Sequence, residues 1–481
     1  MKAVLTKWAQ HLEPRMPLIL LVFACAFAIF FGGYLVGDRH YPPYGVLKDA
    51  QTAFAVLKTQ LKSSRIRSVV NETKISVAEG MKQRVMSLVP VDDDNSFLLT
   101  GGEGQYLEYC PGDGCAAVIV KRDGTLVHAY PNRPDELVTK RTMELHYSEL
   151  LHDDAKDTAI LGLDVLPGGD LIAIYDYEGA VPQGGGIARL DRNGHVVWYR
   201  RDYSNHWPRV LPDRGEILNI RFDQGPKRVT LDVQGDQKVT LACDRGIHED
   251  AIQILDFNGQ VKDEVPIFAA LAASPYRSFL LVSNDVPYGG PVPCNALHPN
   301  SVNEVGAELA AKFPGVNPDD FLVSLRNISS IIILGRKDHR VKRLFNSTFL
   351  FQHSAQVAPG GKIVMWDNLG ATDDVGPSRV LELDPATGTE RTLLNSRQAA
   401  GLFSKVMGNI NISPDGTRAL VAPTESGKGY EIRLSDGAIL TTFDNLHDVH
   451  VLPKFAGLNK MVRFCQYGIY YVSSHLLDAV P

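Results

Sequence analysis

The pattern of apolar and polar positions changes twice along the chain before it settles into a repeat. Residues 16–37 (MPLILLVFACAFAIFFGGYLVG) are almost wholly apolar and carry no charge, about the length a helix needs to cross a bilayer. Lys2, Lys7 and Arg15 precede them, so the positive-inside tendency puts residues 1–15 in the cytoplasm and the chain after residue 37 on the far side. A cleaved signal peptide is the competing reading, but the run is long and no small-x-small site closes it. Tyr41-Pro42-Pro43-Tyr44 then breaks the helix. Leu47, Ala53, Val56, Leu57 and Leu61 recur at near-helical spacing, which predicts a short juxtamembrane helix or stalk within residues 38–65.

From about Ile66 the period shortens to that of strands. Apolar stretches alternate with turns of the type Leu-Pro-x-Gly, and the clearer units close on Asp-x-x-Gly, as at Asp191 to Gly194 and Asp256 to Gly259. Units begin near Ser87, Leu163, His206, His298, His353 and Asn409, with a shorter one at His447. Repeats of roughly forty to fifty residues with several short strands each are the mark of a β-propeller. The expectation is an all-β propeller of six or seven blades over residues 66–481, with an early strand at 68–76 able to complete the last unit. Residues 131–157 and 263–294 do not fit the repeat. The second, Pro/Gly-rich at its end, runs directly into His298 and is expected to lie over the face on which that residue opens.

Composition narrows the classes. At 481 residues with 44% hydrophobic and 22% charged the chain can bury a large core, and its 42 glycines and 28 prolines supply turns throughout. A net charge of −6 without a basic stripe gives no case for nucleic acid. Cys110-Pro-Gly-Asp-Gly-Cys115 sets two thiols across a tight turn that a disulfide can close in an oxidising compartment. The pair also suits half of a zinc site, but no second pair with ligand spacing follows. Cys243, Cys294 and Cys465 are left unpaired by the sequence.

Candidate chemistry gathers between residues 295 and 370. Two phrases, Leu297-His298-Pro299-Asn300-Ser301-Val302 and Phe351-Gln352-His353-Ser354, each carry a histidine into an apolar strand at the same point of successive units. The strand Leu322-Val323-Ser324-Leu325-Arg326 follows the first, and Asp367-Asn368 with Ser378-Arg379 follows the second. In order and spacing these pieces resemble the bacterial arylsulfotransferase family, exported propeller enzymes. The firm match covers about residues 295–394.

The resemblance implies ping-pong transfer of a sulfuryl group from a phenolic sulfate ester to another phenol through a sulfohistidine. Such chemistry needs a neutral imidazole and fixed positive charge at the sulfuryl oxygens. It makes His298, His353, Arg326 and Arg379 the candidate catalytic residues, and Asn300, Asn368 and His450 the candidate substrate contacts. It implies no cofactor, and an aryl sulfate and a phenol as small-molecule partners; the apolar run adds the expectation of an inner-membrane anchor with a periplasmic propeller and room for a protein partner, and no metal is expected. One departure stands out. The family's nucleophilic histidine is expected in the unit after Asp367-Asn368, where this chain reads Val421-Ala422-Pro423-Thr424-Glu425-Ser426.

That departure keeps a second reading open, a propeller that binds an anionic ligand or a protein without catalysis. Arg326 and Arg379 suit ion pairs with blade carboxylates such as Asp367, and His206, beside Trp207 and Pro208, reads as a packing residue. Converging histidines also suit zinc or copper, but no His-x-His or His-x3-His pair with carboxylate support occurs. The spacing of His447 and His450 would split them across the two faces of a strand.

Overall fold

The computed structural model describes Phe27 and residues 85–91, 95–100, 106, 109–110, 112–137, 158–177, 185–234, 237–244, 246–283, 293–371, 376–448 and 461–473. The expected anchor apart from Phe27, the stalk, the early strand at 68–76 and His450 lie outside these residues. Among the described residues no helix is long and apolar enough to cross a membrane.

Six antiparallel sheets form a six-bladed propeller. Blade 1 holds Asn95–Thr100, Cys115–Val120 and Leu126–Pro131, and its inner strand is Gly468–Ser473 from the far end of the chain. Blade 2 runs Thr158–Val165, Leu171–Tyr177, Gly186–Leu190 and Val196–Arg200. Blade 3 runs Ser204–Leu211, Glu216–Gln224, His248–Asp256 and Val261–Pro266, with an extra hairpin, Arg228–Gln234 and Gln237–Ala242, between its second and third strands. Blade 4 is Pro299–Glu304, Phe321–Leu325, Ser330–Leu334 and Val341–Phe345. Blade 5 is His353–Ala358, Lys362–Asp367, Arg379–Asp384 and Thr389–Leu394. Blade 6 is Asn409–Ile412, Arg418–Ala422, Lys428–Arg433 and Ile439–Asp444, with Val85–Ser87 added at its outer edge.

The blade count is thus six, and the seven-blade alternative is corrected. The unit after His447 is not a blade: Leu446–Asp448 pairs with Met461–Arg463 in a separate ribbon, and Gly468–Ser473 closes blade 1. Neighbouring inner strands touch in succession around the ring, and Gly468–Ser473 meets both Asn409–Ile412 and Thr158–Val165. The cores lie between blades. Ile252, Ile254, Val302 and Val323 fill the layer between blades 3 and 4, and Leu322, Ile331, Ala355 and Ile363 the layer between 4 and 5. Each Val, Leu or Ile among them contributes roughly 1.5–3 kcal/mol when fully buried, so the layers fix blade angles and with them the inner-strand ends.

The Asp-x-x-Gly turns have a local cause. Asp191 Oδ1 accepts the Asn193 and His195 N–H groups at 2.8 Å each, and Gly194 takes the left-handed conformation (φ 77°) that the tight turn requires. Both expected and further disulfides are present: Cys110–Cys115, and Cys243–Cys294, which joins the base of the blade 3 hairpin to the chain entering blade 4.

Candidate functional site

Three successive inner strands are bulged at or just after a histidine. In blade 3, Asn205 pairs with Ile220 and Arg209 with Leu218, so His206, Trp207 and Pro208 together face Asn219. In blade 4 the extra residue is Asn300, and in blade 5 Ser354 and Ala355 face Met365. The first strand of blade 6 pairs without a bulge. Pro208 has no N–H to lose from the ladder, and a bulge re-aims the side chains beside it. His206 (φ 59°) and His298 (φ 51°) also sit in the left-handed region, which costs a non-glycine residue about 1 kcal/mol or more. Blade 2 makes room for the turn at Gly162, where a Cβ would stand 2.3 Å from the His206 carbonyl oxygen and 2.6 Å from Trp207 Cδ1.

The result is a buried cluster. The His206 ring centroid lies 5.0 Å from that of His298 and 5.7 Å from that of His353, and Trp207 meets His353 edge-on at 6.3 Å. Arg326, 1% exposed, lies with its guanidinium 4.9 Å from the centre of the Phe351 ring. Burial, then the Arg326 charge, holds His206 down to about 3. His353 is held well below its usual value by burial, by His206 and by Arg326. His298 is lowered in the same way, with His353 and His248 adding to the effect. All three imidazoles are neutral at physiological pH.

Hydrogen bonds assign the tautomers. Asn368 Nδ2 donates to the carbonyls of Ser404 (2.8 Å) and Met407 (2.7 Å), which turns its Oδ1 toward His353. His353 Nδ1 lies 2.7 Å from that oxygen and 3.0 Å from the Phe351 carbonyl, so it carries the hydrogen and Nε2 the lone pair. His206 Nδ1 donates to Asn205 Oδ1 at 2.9 Å, and its buried Nε2 has no hydrogen-bond partner. His298 is the reverse: Asn295 Nδ2 approaches its Nδ1 at 2.6 Å, which leaves the hydrogen on Nε2. Two bare ring nitrogens, one ring N–H and one guanidinium therefore share the cluster. That set suits attack on an electrophile whose oxygens bear negative charge.

The other sequence candidates are distributed differently. Asn300 is fully buried, donates to the Gln352 carbonyl at 2.7 Å and keeps its Oδ1 without a partner. Asn368 stands behind His353 rather than beside it. Arg379 Nε lies 2.7 Å from Asp367 Oδ2 and its Nη2 2.7 Å from Thr348 Oγ1, so its guanidinium is engaged by blade 5 and by the chain entering it. Burial outweighs this pairing and the two N–H groups on Asp367, whose carboxyl is pushed up. Thr424 Oγ1 is buried without a partner, while Glu425 accepts the Lys405 and Val406 N–H groups and fastens that loop. Sequence reasoning passed over His206 and Asn295. The repeated histidine position in the unit before His298 was the signal for the first. Among the described residues no group of three His, Cys, Asp or Glu side chains is set to hold a metal ion.

Comparisons with known proteins add a family match over part of the chain. No curated protein matches the chain. Solved structures are similar to the chain at low identity. A protein of unknown function from Bacteroides caccae is 12% identical over 79% of this chain and 99% of its own, with a TM-score of 0.44. TolB from Acinetobacter baumannii is 12% identical over 80% of this chain and 68% of its own, with a TM-score of 0.39. The family model described as arylsulfotransferase (ASST) matches residues 229–445, a span that holds His298, Arg326, His353 and Asn368. Over those residues the chain carries the sequence pattern of the arylsulfotransferase family.

Proposed function

We propose that the protein is a sulfotransferase that moves a sulfuryl group from a phenolic sulfate ester to another phenol, with His353 as nucleophile. The observation that carries this is the Asn368–His353 bond, because it fixes the lone pair on the Nε2 of a buried, neutral imidazole near the Arg326 guanidinium. In the first half-reaction Nε2 attacks sulfur and the S–O bond to the phenol breaks; the departing phenolate oxygen accepts a hydrogen bond from His298 Nε2–H and takes its proton from water. In the second, the acceptor phenol loses its proton to water as its oxygen, held by the same His298 Nε2–H, attacks the sulfohistidine, and the N–S bond breaks to return the lone pair to His353 Nε2. Arg326 holds the charge on the sulfuryl oxygens throughout. One guanidinium matches the single negative charge of a sulfate monoester.

We also propose that residues 16–37 anchor the propeller to the inner membrane and that it works in the periplasm. The apolar run and the two disulfides support that compartment.

The test is peptide mass analysis of the protein after mixing with nitrophenyl sulfate, together with phenol release. A sulfuryl adduct is expected on His353, lost in His353→Gln. His298→Gln is expected to keep the adduct while turnover drops roughly 10²-fold. An adduct on His206 would move the nucleophile, and no adduct with no release from folded protein would leave a binding module.

A further inference from the structure

Asn295 joins three parts of the site through separate groups. Its side-chain Nδ2 reaches His298 Nδ1 at 2.6 Å, and its backbone carbonyl accepts from Asn327 Nδ2 at 2.7 Å. That second bond turns Asn327 Oδ1 outward to accept from Arg326 Nη1, again at 2.7 Å. The main chain repeats the connection, since Asn327 N–H donates to the Leu297 carbonyl and Arg326 N–H to the His298 carbonyl. Asn295 is the last residue of a three-residue 3-10 turn, Pro293–Asn295, too short to hold its own place. What holds it is covalent: Cys294, the residue before it, is bonded to Cys243. Cys243 is in turn fixed to the neck of the blade 3 hairpin, where its N–H donates to the Lys227 carbonyl and its carbonyl accepts from Gly246.

We propose that Asn295, held by the Cys243–Cys294 disulfide, is a positioning residue: its amide sets which His298 nitrogen carries the hydrogen, and its carbonyl aims Arg326 through Asn327. The disulfide is then a precondition for an ordered site and not only a cross-link. Its kinetic consequence rests on the sulfuryl-transfer reading; the tautomer it fixes does not.

The experiment is ¹⁵N spectroscopy of the imidazoles in the full chain labelled at histidine, with His298 identified by its loss in His298→Gln. The native protein is expected to show His298 protonated on Nε2 and bare on Nδ1. Asn295→Ala and Cys243→Ser/Cys294→Ser are expected to give a mixture of tautomers. In Asn295→Asp an acceptor replaces the donor, so the hydrogen moves to Nδ1. With nitrophenyl sulfate this variant should lose roughly 10²-fold in kcat near neutral pH, with KM changed by less than about twofold. Its activity should recover as the pH falls, because the new carboxylate raises the His298 pKa and the doubly protonated ring regains its Nε2–H.

A native His298 protonated on Nδ1, or spectra unchanged in Asn295→Ala and the cysteine variant, would overturn the proposal. Cysteine variants that do not fold would confine the disulfide to stability and overturn its part, while Asn295→Asp still decides the other. Spectra that shift as expected in a protein that transfers no sulfate would sink the catalytic reading and leave this one standing.

Discussion

The buried histidines make the site and also make the fold sensitive to acid. His206 is held down to about 3 and His248, stacked on Phe222, to about 4, in both cases chiefly by burial. Unfolded, each takes up a proton near 6.5. Between that value and its lowered one the unfolded chain binds more protons, so stability is complete above about pH 6.5 and falls as the pH drops. One such histidine gives a slope of up to about 1.4 kcal/mol per pH unit. Urea unfolding of His206→Gln between about pH 6 and about pH 4 should show the native slope reduced by about that amount, and an unchanged slope would mean that His206 protonates in the fold. The same residue marks a limit of the sequence. His298, His353 and Arg326 were legible because polar groups crowd into apolar strands at a repeated point. His206 does pack against Trp207, at 5.6 Å between rings, as its neighbours suggested. What turns it toward His298 is a left-handed backbone inside a bulge, and bulge register is set by the partner strand rather than by residue type.

At the scale of elements, the blade hairpins were legible because aspartate and glycine at fixed offsets build the turn by themselves. Asp256 Oδ1 takes the Asn258 and Gln260 N–H groups just as Asp191 takes its own pair. The seam between blades 6 and 1 was not, since its partners stand far apart in the chain. Glu431, fully buried in blade 6, accepts Arg122 from the blade 1 hairpin in a two-pronged bond, Thr441 Oγ1 at 2.7 Å and Tyr471 OH at 3.0 Å. Arg418 approaches the same carboxylate at 3.4 Å. The carboxylate thus ties both halves of the split blade to its neighbour. Removing one member of a buried ion pair leaves the other charge uncompensated, at a cost of about 3–5 kcal/mol. Glu431→Ala should therefore lower the unfolding free energy by about that much in denaturant melts, whereas Asp436→Ala, whose Arg433 pair is half exposed on both sides, should change it by under about 1 kcal/mol. Equal losses at the two sites would remove the seam from the list of stabilising elements.

For the whole molecule, the number of blades turned on where the chain closes on itself. A repeat count along the sequence reaches a seventh, short unit because the inner strand of blade 1 and its other three strands lie at opposite ends of the described chain. Only the pairing of Asn95–Thr100 with Gly468–Ser473, matched residue for residue from Asn95 with Ser473 to Thr100 with Gly468, assigns that strand. The last strand therefore carries stability out of proportion to its length. It buries Ile469, Tyr470 and Val472 between blades 6, 1 and 2, and Gln466 just before it donates to the carbonyls of Thr100 and Gly468 at 2.8 Å each. Three buried side chains at roughly 1.5–3 kcal/mol each already approach the 5–15 kcal/mol by which a typical domain is stable. Their loss would also expose the unpaired edge of Asn95–Thr100 and open the ring on which the histidine-bearing strands are hung. A chain ending at Cys465 should therefore lose its cooperative melt. Because the missing piece is one strand with its own ladder, a peptide of residues 466–473 added at about millimolar concentration, the range that tethering supplies within a chain, should restore part of that transition. A truncated chain that melts as the full one does would show that five complete blades and an open sixth suffice, and that ring closure contributes little to holding His206, His298 and His353 together.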